Sequence, residues 1–180
     1  MHDTVIQPNI LTRGGVIIVA GDDRSDLSLF ARQTAVELAT GDKWVQLFPV
    51  TQRRVLYINM RQWDSSVYYK AFDQIAGSRT ELIYLNQSPM GLHTETGTNK
   101  LAKIIQSYKP EVVVIEYLSD TVSTILCPKL KLVMINLRKI AKQYGACFIL
   151  LHELVKGNWK SKPGPCLRST WRLYHRLRSR

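Results

Sequence analysis

Gly21 and Ser28 stand seven positions apart in "GDDRSDLS", the spacing of a phosphate-cradling loop of the form G-x-x-x-x-G-K-[ST]. In such a loop the glycines let backbone N–H groups point inward, the lysine reaches the β/γ-phosphates and the hydroxyl holds Mg²⁺. Two key positions differ here: Asp26 replaces the second glycine and Leu27 the lysine. Asp22, Asp23 and Asp26 would also set carboxylates beside the phosphates, where like charges about 4 Å apart repel by about 1 kcal/mol even in water. Arg24 offsets this only in part.

The other groups that could do chemistry lie at strand ends. Glu116 closes "EVVVIE" and His152 closes "FILLH". Glu116 reads either as a metal-site remnant or as a polar residue where a buried strand meets solvent. His152, without a second ligand nearby in sequence, reads as a hydrogen-bonded structural histidine. Glu95, Asp120, Glu116 and His152 supply material for two-metal cleavage, but their spacing gives no sign of the clustering it needs. Cys127, Cys147 and Cys166 are odd in number and lack metal-ligand spacing, so they read as free thiols.

Strand-helix alternation must position these groups. "VIIVA" (16 to 20) reads as a buried, central parallel strand. Leu27, Phe30, Ala31, Thr34, Ala35 and Leu38 recur at spacings of three and four, predicting a helix from about Leu27 to Thr40, with Ser25 or Asp26 as cap and Gly41 as stop. Further strands are expected at 53 to 60, 81 to 86, 111 to 118 and 146 to 154. Helices are expected at about 65 to 76, 99 to 107 and 130 to 144, and a loop at 87 to 98. This order implies crossover units and a parallel sheet in one α/β domain.

Charge is distributed unevenly. The 180 residues carry a formal net charge of +11, which favours a negatively charged partner. No acidic residue follows Glu153, whereas Lys156, Lys160, Lys162, Arg168, Arg172, Arg176, Arg178 and Arg180 supply eight cations, so residues 1–155 are close to balanced at +3. The chain divides into a core over 1–155 and a basic, aromatic-containing tail over 156–180. Cations interleaved with Trp159, Trp171, Tyr174 and His175 suit single-stranded nucleic acid, the cations neutralising phosphates and the rings stacking on bases. The alternative is docking on a partner, because Trp171, Leu173, Tyr174 and Leu177 fall at near-helical spacing. No apolar run reaches the roughly 18 residues of a membrane span, and the N-terminus lacks the flank of a signal peptide, so a cytoplasmic location without a membrane partner is expected.

The order of these features resembles the RecA-like ATPase core, most closely the branch of plasmid RepA-type replicative helicases and related mobile-element ATPases. Beside the altered loop, the segments that carry the resemblance are "ATGDKWVQLFPVTQRRVLYIN", "YKPEVVVIEYLSD" and "LRKIAKQYGACFILLHELVKGN", and the resemblance covers roughly residues 12 to 160. The resemblance implies a RecA-like three-layer fold with a mainly parallel central sheet. It places the phosphate lysine on Leu27, the water-activating glutamate on Arg61, the Mg²⁺-side aspartate on Glu116, and the first of a His-His pair on His152, with Glu153 in place of the second. Arg61 would pair with Asp22 or Asp23, or supply a cation to the cleft. Gly21, Ser28, Glu116 and His152 are then a vestigial nucleotide site, and catalytic residues are not expected.

The expected function is a non-catalytic RecA-like module that binds nucleic acid in replication, recombination or a mobile-element process, beside an active RecA-like or replication partner. Its contacts would be Lys156, Trp159, Lys160, Lys162, Arg168, Trp171, Arg172, Arg176 and Arg178. No cofactor is required by this expectation. Two other classes remain open: a divergent helicase-type ATPase taking ATP and Mg²⁺, and a protein-interaction paralogue that binds no nucleic acid.

Overall fold

A computed structural model describes residues 4–6, 10–21, 24–60, 81–86, 90–116 and 127–153. The element order is β1 (Thr4–Ile6), β2 (Leu11–Thr12), β3 (Val16–Gly21), α1 (Arg24–Thr40), β4 (Val55–Asn59), β5 (Leu82–Asn86), α2 (Glu95–Tyr108), β6 (Val112–Glu116), α3 (Cys127–Tyr144) and β7 (Cys147–Glu153). Strands β3 to β7 form one five-stranded sheet in the order β3-β7-β6-β4-β5, and every neighbouring pair is parallel. β1 and β2 make a separate antiparallel pair.

Each strand places alternate residues on opposite faces, so the sheet has two apolar faces and needs a helical layer on both. On one face Val55, Tyr57, Val112, Val114, Ile149 and Leu151 pack with Leu27, Ala31, Ala35 and Leu38 of α1, and the β1–β2 pair adds Val5, Ile6 and Leu11. On the other, Leu56, Ile58, Val113, Ile115, Phe148 and Leu150 pack with Leu101 and Ile105 of α2 and Leu130, Val133, Leu137 and Ile140 of α3. The crossovers agree: α1 carries the chain from β3 towards the β5 edge, whereas α2 and α3 carry it back, and right-handed connections place the two directions on opposite faces. The result is the expected three-layer α/β fold with a parallel central sheet.

α1 approaches the sheet closely because its buried stripe is rich in small residues, Ala31, Ala35 and Ala39. It ends where predicted: Gly41 has φ +81°, and its N–H and that of Asp42 both reach the Glu37 carbonyl, at 3.0 Å each. The chain then folds back on the helix. Trp44 donates from Nε1 to Thr34 Oγ1 at 3.0 Å and lies against Phe30 and Phe48, while the Val45 N–H donates to Glu37 Oε2 at 2.8 Å.

Three expectations need correction. β3 is an edge strand of the described sheet, not a central one; β7 pairs with it on one side, and most of its residues are half-buried. α1 starts at Arg24, so Ser25 and Asp26 are helical and do not cap it. α2 starts at Glu95, inside the segment expected to be loop, because Thr94 caps it by accepting from the Gly97 N–H at 3.2 Å. The weak helix formers Thr96, Gly97 and Thr98 hid this turn, and the glycine is required because a Cβ there would lie 2.3 Å from the Gly91 carbonyl oxygen. The β1–β2 pair was not anticipated. The expected helix at 65 to 76 lies outside the described residues, as does the tail.

Candidate functional site

In an open parallel sheet, ligands bind beyond the carboxyl ends of the strands, at the point where neighbouring connections run in opposite directions. Here that point lies between β4, which leads outward to β5, and β6, which leads back to β7. The last residues of these strands, Asn59 and Glu116, are in register, and Asn59 is also in register with Asn86.

Glu116 is 0% exposed. By strand alternation it follows Val112 and Val114 onto the α1 face, and both of its oxygens accept hydroxyls: Oε1 from Ser28 Oγ on α1, Oε2 from the Tyr57 OH on β4. The idea that Glu116 is simply where the strand meets solvent is therefore wrong; the helix closes over it. Ser28 lies in the second turn of a helix that begins at Arg24. The cluster continues sideways, for Tyr57 and Tyr84 stack with centroids 5.7 Å apart, and Asn59 Nδ2 donates to the Tyr84 OH at 3.2 Å.

Leu27, where the phosphate lysine would stand, is 5% exposed and belongs to the α1-side core. It rests directly on Gly21: a Cβ built there would lie 3.2 Å from Leu27 Cγ and Cδ2. Since β3 runs through Gly21 and α1 begins at Arg24, two residues connect strand to helix. Residues 24 to 26, which a cradling loop would need as an open turn, are wound into the helix.

The remaining candidate, His152, is buried but belongs to the other face. It pairs in register with Ala20 and follows Phe148 and Leu150, which face α2 and α3, whereas Glu116 faces α1. Of the four sequence-predicted residues, the fold thus joins Ser28 to Glu116, puts Gly21 under Leu27, and sends His152 to the opposite side. Glu95 opens α2; among the described residues, no group of three or more His, Cys, Asp or Glu could hold a metal. Asp22, Asp23, Arg61, Asp120 and the nine tail residues expected to bind nucleic acid lie outside the described residues.

Sequence reasoning missed Tyr57, Asn59 and Tyr84. The alternation in "VLYIN" puts Tyr57 and Asn59 on one face, but only the β4–β6 register brings Tyr57 to Glu116. Cys147 is buried, and its thiol donates to the Thr12 carbonyl oxygen at 3.1 Å. At the opposite end of the sheet Arg53 pairs with Glu111 at 2.8 Å and Arg54 with Glu81 at 2.7 Å. Glu81 raises the Arg54 pKa, first through the hydrogen bond and then through its charge. No described helix is long and apolar enough to cross a membrane. No family model matches the sequence, and comparison with curated proteins returns no match.

Proposed function

We propose that this chain is a non-catalytic RecA-like module that binds nucleic acid, single-stranded by preference, acting in the cytoplasm beside an active replication or recombination partner. The observation that carries this is the run of eight cations without an acidic residue after Glu153, interleaved with Trp159, Trp171 and Tyr174. Such a composition neutralises phosphates and stacks on bases without reading sequence. The core geometry is compatible with a scaffold: Leu27 fills the space over Gly21, and both Glu116 oxygens are taken by internal hydroxyls. Replacing Arg172, Arg176 and Arg178 by Gln should weaken binding of a labelled single-stranded oligonucleotide and reduce its salt dependence by about 0.7 in log–log slope for each phosphate no longer neutralised. Unchanged affinity and slope would remove the tail from the account.

One observation favours a second reading. Ser28 and Glu116 meet at the carboxyl edge of the sheet, where a hydroxyl and a carboxylate would hold Mg²⁺ in a divergent ATPase. Saturable binding of an ATP analogue that requires Mg²⁺ and is lost in Ser28→Ala would establish that reading.

A further inference from the structure

The near balance of charge in residues 1–155 conceals a separation that the fold creates. Most of the described acids are occupied by local partners. Glu37 accepts from Gln33 and the Val45 N–H, Asp42 from Thr40, and Glu116 from Ser28 and Tyr57; Glu81 and Glu111 pair with Arg54 and Arg53. None of these acids lies on α2 or α3. α3 has no acidic residue in its 18 positions, and α2 has Glu95 alone, in its first turn.

The cations of this layer are arranged in rows. On α3 the apolar residues Leu130, Val133, Leu137 and Ile140 are used against the sheet. That leaves Lys131, Ile135, Arg138 and Lys142 as one exposed line at spacings of four, three and four, with Leu132 and Lys139 beside it. The line spans about 16 Å at 1.5 Å per residue. Lys100 and Lys103 are exposed on α2, which packs beside α3 through Asn136 Nδ2, donating to the Leu92 carbonyl at 3.0 Å and to Thr98 Oγ1 at 3.2 Å. None of these six cations pairs with a carboxylate among the described residues.

We infer that the solvent side of the α2–α3 layer is a second phosphate-binding surface, along which a nucleic-acid backbone lies parallel to α3. This rests on the nucleic-acid reading above and adds a place on the core to the basic tail. Extended rows of cations on one face are the electrostatic footprint of a polyanion with regularly repeated charge. An anionic membrane is the poorer fit. A membrane-surface helix inserts its apolar face, and α3 has already buried its own, keeping only Leu132 and Ile135 outside at 47% and 38% exposed.

The test uses the full chain and four exposed substitutions, Lys131→Gln, Arg138→Gln, Lys139→Gln and Lys142→Gln, made together. Glutamine is about as good a helix former as lysine or arginine, so α3 should persist, and circular dichroism and a thermal melt verify it. Labelled single- and double-stranded oligonucleotides are titrated over a salt series, with Arg13→Gln/Lys43→Gln as a control outside α3, compared per charge removed, and the tail variant Arg172→Gln/Arg176→Gln/Arg178→Gln in parallel. The α3 variant is expected to bind at least about tenfold more weakly at low salt, with a log–log slope shallower by about 2 to 3, and the control to stay within about twofold. If the wild type binds and the tail variant weakens while the α3 variant matches the control, this inference fails and the nucleic-acid reading survives. If the wild type binds no oligonucleotide even at low salt, the underlying reading fails. Loss of sedimentation with phosphatidylserine vesicles, at unchanged oligonucleotide affinity, would also overturn it and assign the surface to a membrane.

Discussion

The two faces of the sheet treat charge in opposite ways. Under α1, a carboxylate is taken out of water and held by Ser28 and Tyr57; on the other side, the interior between sheet and helices is largely apolar and the charges of α3 stand in solvent. A buried acceptor with two internal donors belongs to the stability of the fold, because breaking the set strands groups that water cannot reach. Exposed cations without a carboxylate partner among the described residues contribute little to stability, and in the proposed reading their regular arrangement serves a partner outside the chain. Charged side chains thus acquire different surroundings from the face on which they emerge.

Variants can break this contrast, and the largest effect is expected at Leu27. Leu27→Lys restores the residue of a phosphate-binding loop but places an ammonium where an apolar side chain packs on Gly21. It should lose about 4 kcal/mol or more, read from the urea midpoint. A stable Leu27→Lys protein that gained Mg²⁺-dependent ATP binding would show instead that the site had kept its cradle.

Next in size is Glu116→Ala, which leaves the Ser28 and Tyr57 hydroxyls without their acceptor and should cost about 3 kcal/mol. Ser28→Ala removes one donor of the pair and should cost about 1 to 2 kcal/mol in the same assay. If both changes are neutral, the cluster under α1 is not structural.

Val45 has φ +47° in the turn after α1, a conformation that a β-branched residue adopts under strain. Val45→Gly should change stability by less than about 1 kcal/mol, the relief being offset by the entropy of a freer unfolded chain and by loss of the partly buried side chain that packs on the α1-side core. Smallest of all should be the fourfold glutamine variant of α3, whose stability should stay within about 0.5 kcal/mol of wild type while its oligonucleotide binding falls. A large loss of stability there would mean that the cations support the helix and would dissolve the distinction between the faces.

Much of this architecture was legible in the residues. The period-two and apolar runs located all five sheet strands to within about two residues, and the three-four spacing from Leu27 to Leu38 located α1, because burial on a sheet imposes those periods directly. Strand order was not legible. β3 has the β-branched composition of a central strand, yet it lies at the edge of the described sheet, since α1 and α3 cover both faces and apolar content reports cover, not hydrogen-bonded neighbours. The start of α2 was hidden by Gly97, which a close backbone approach requires and helix propensity penalises. At the candidate site, the resemblance grouped Ser28 and Glu116 without predicting their hydrogen bond, whereas Tyr57 depends on register between strands nearly 60 residues apart in sequence. The basic surface was invisible to a summed charge, because summation discards the face from which each side chain emerges.

The central claim is that this chain binds nucleic acid through its cations and without nucleotide. Its most direct test is the affinity of the wild-type chain for a labelled single-stranded oligonucleotide, measured across a salt series with and without Mg²⁺-ATP. The account predicts a straight log–log fall of affinity with salt, of the same slope and height whether or not nucleotide is present. Binding that appears or strengthens only with Mg²⁺-ATP, or no binding at the lowest salt, would contradict it.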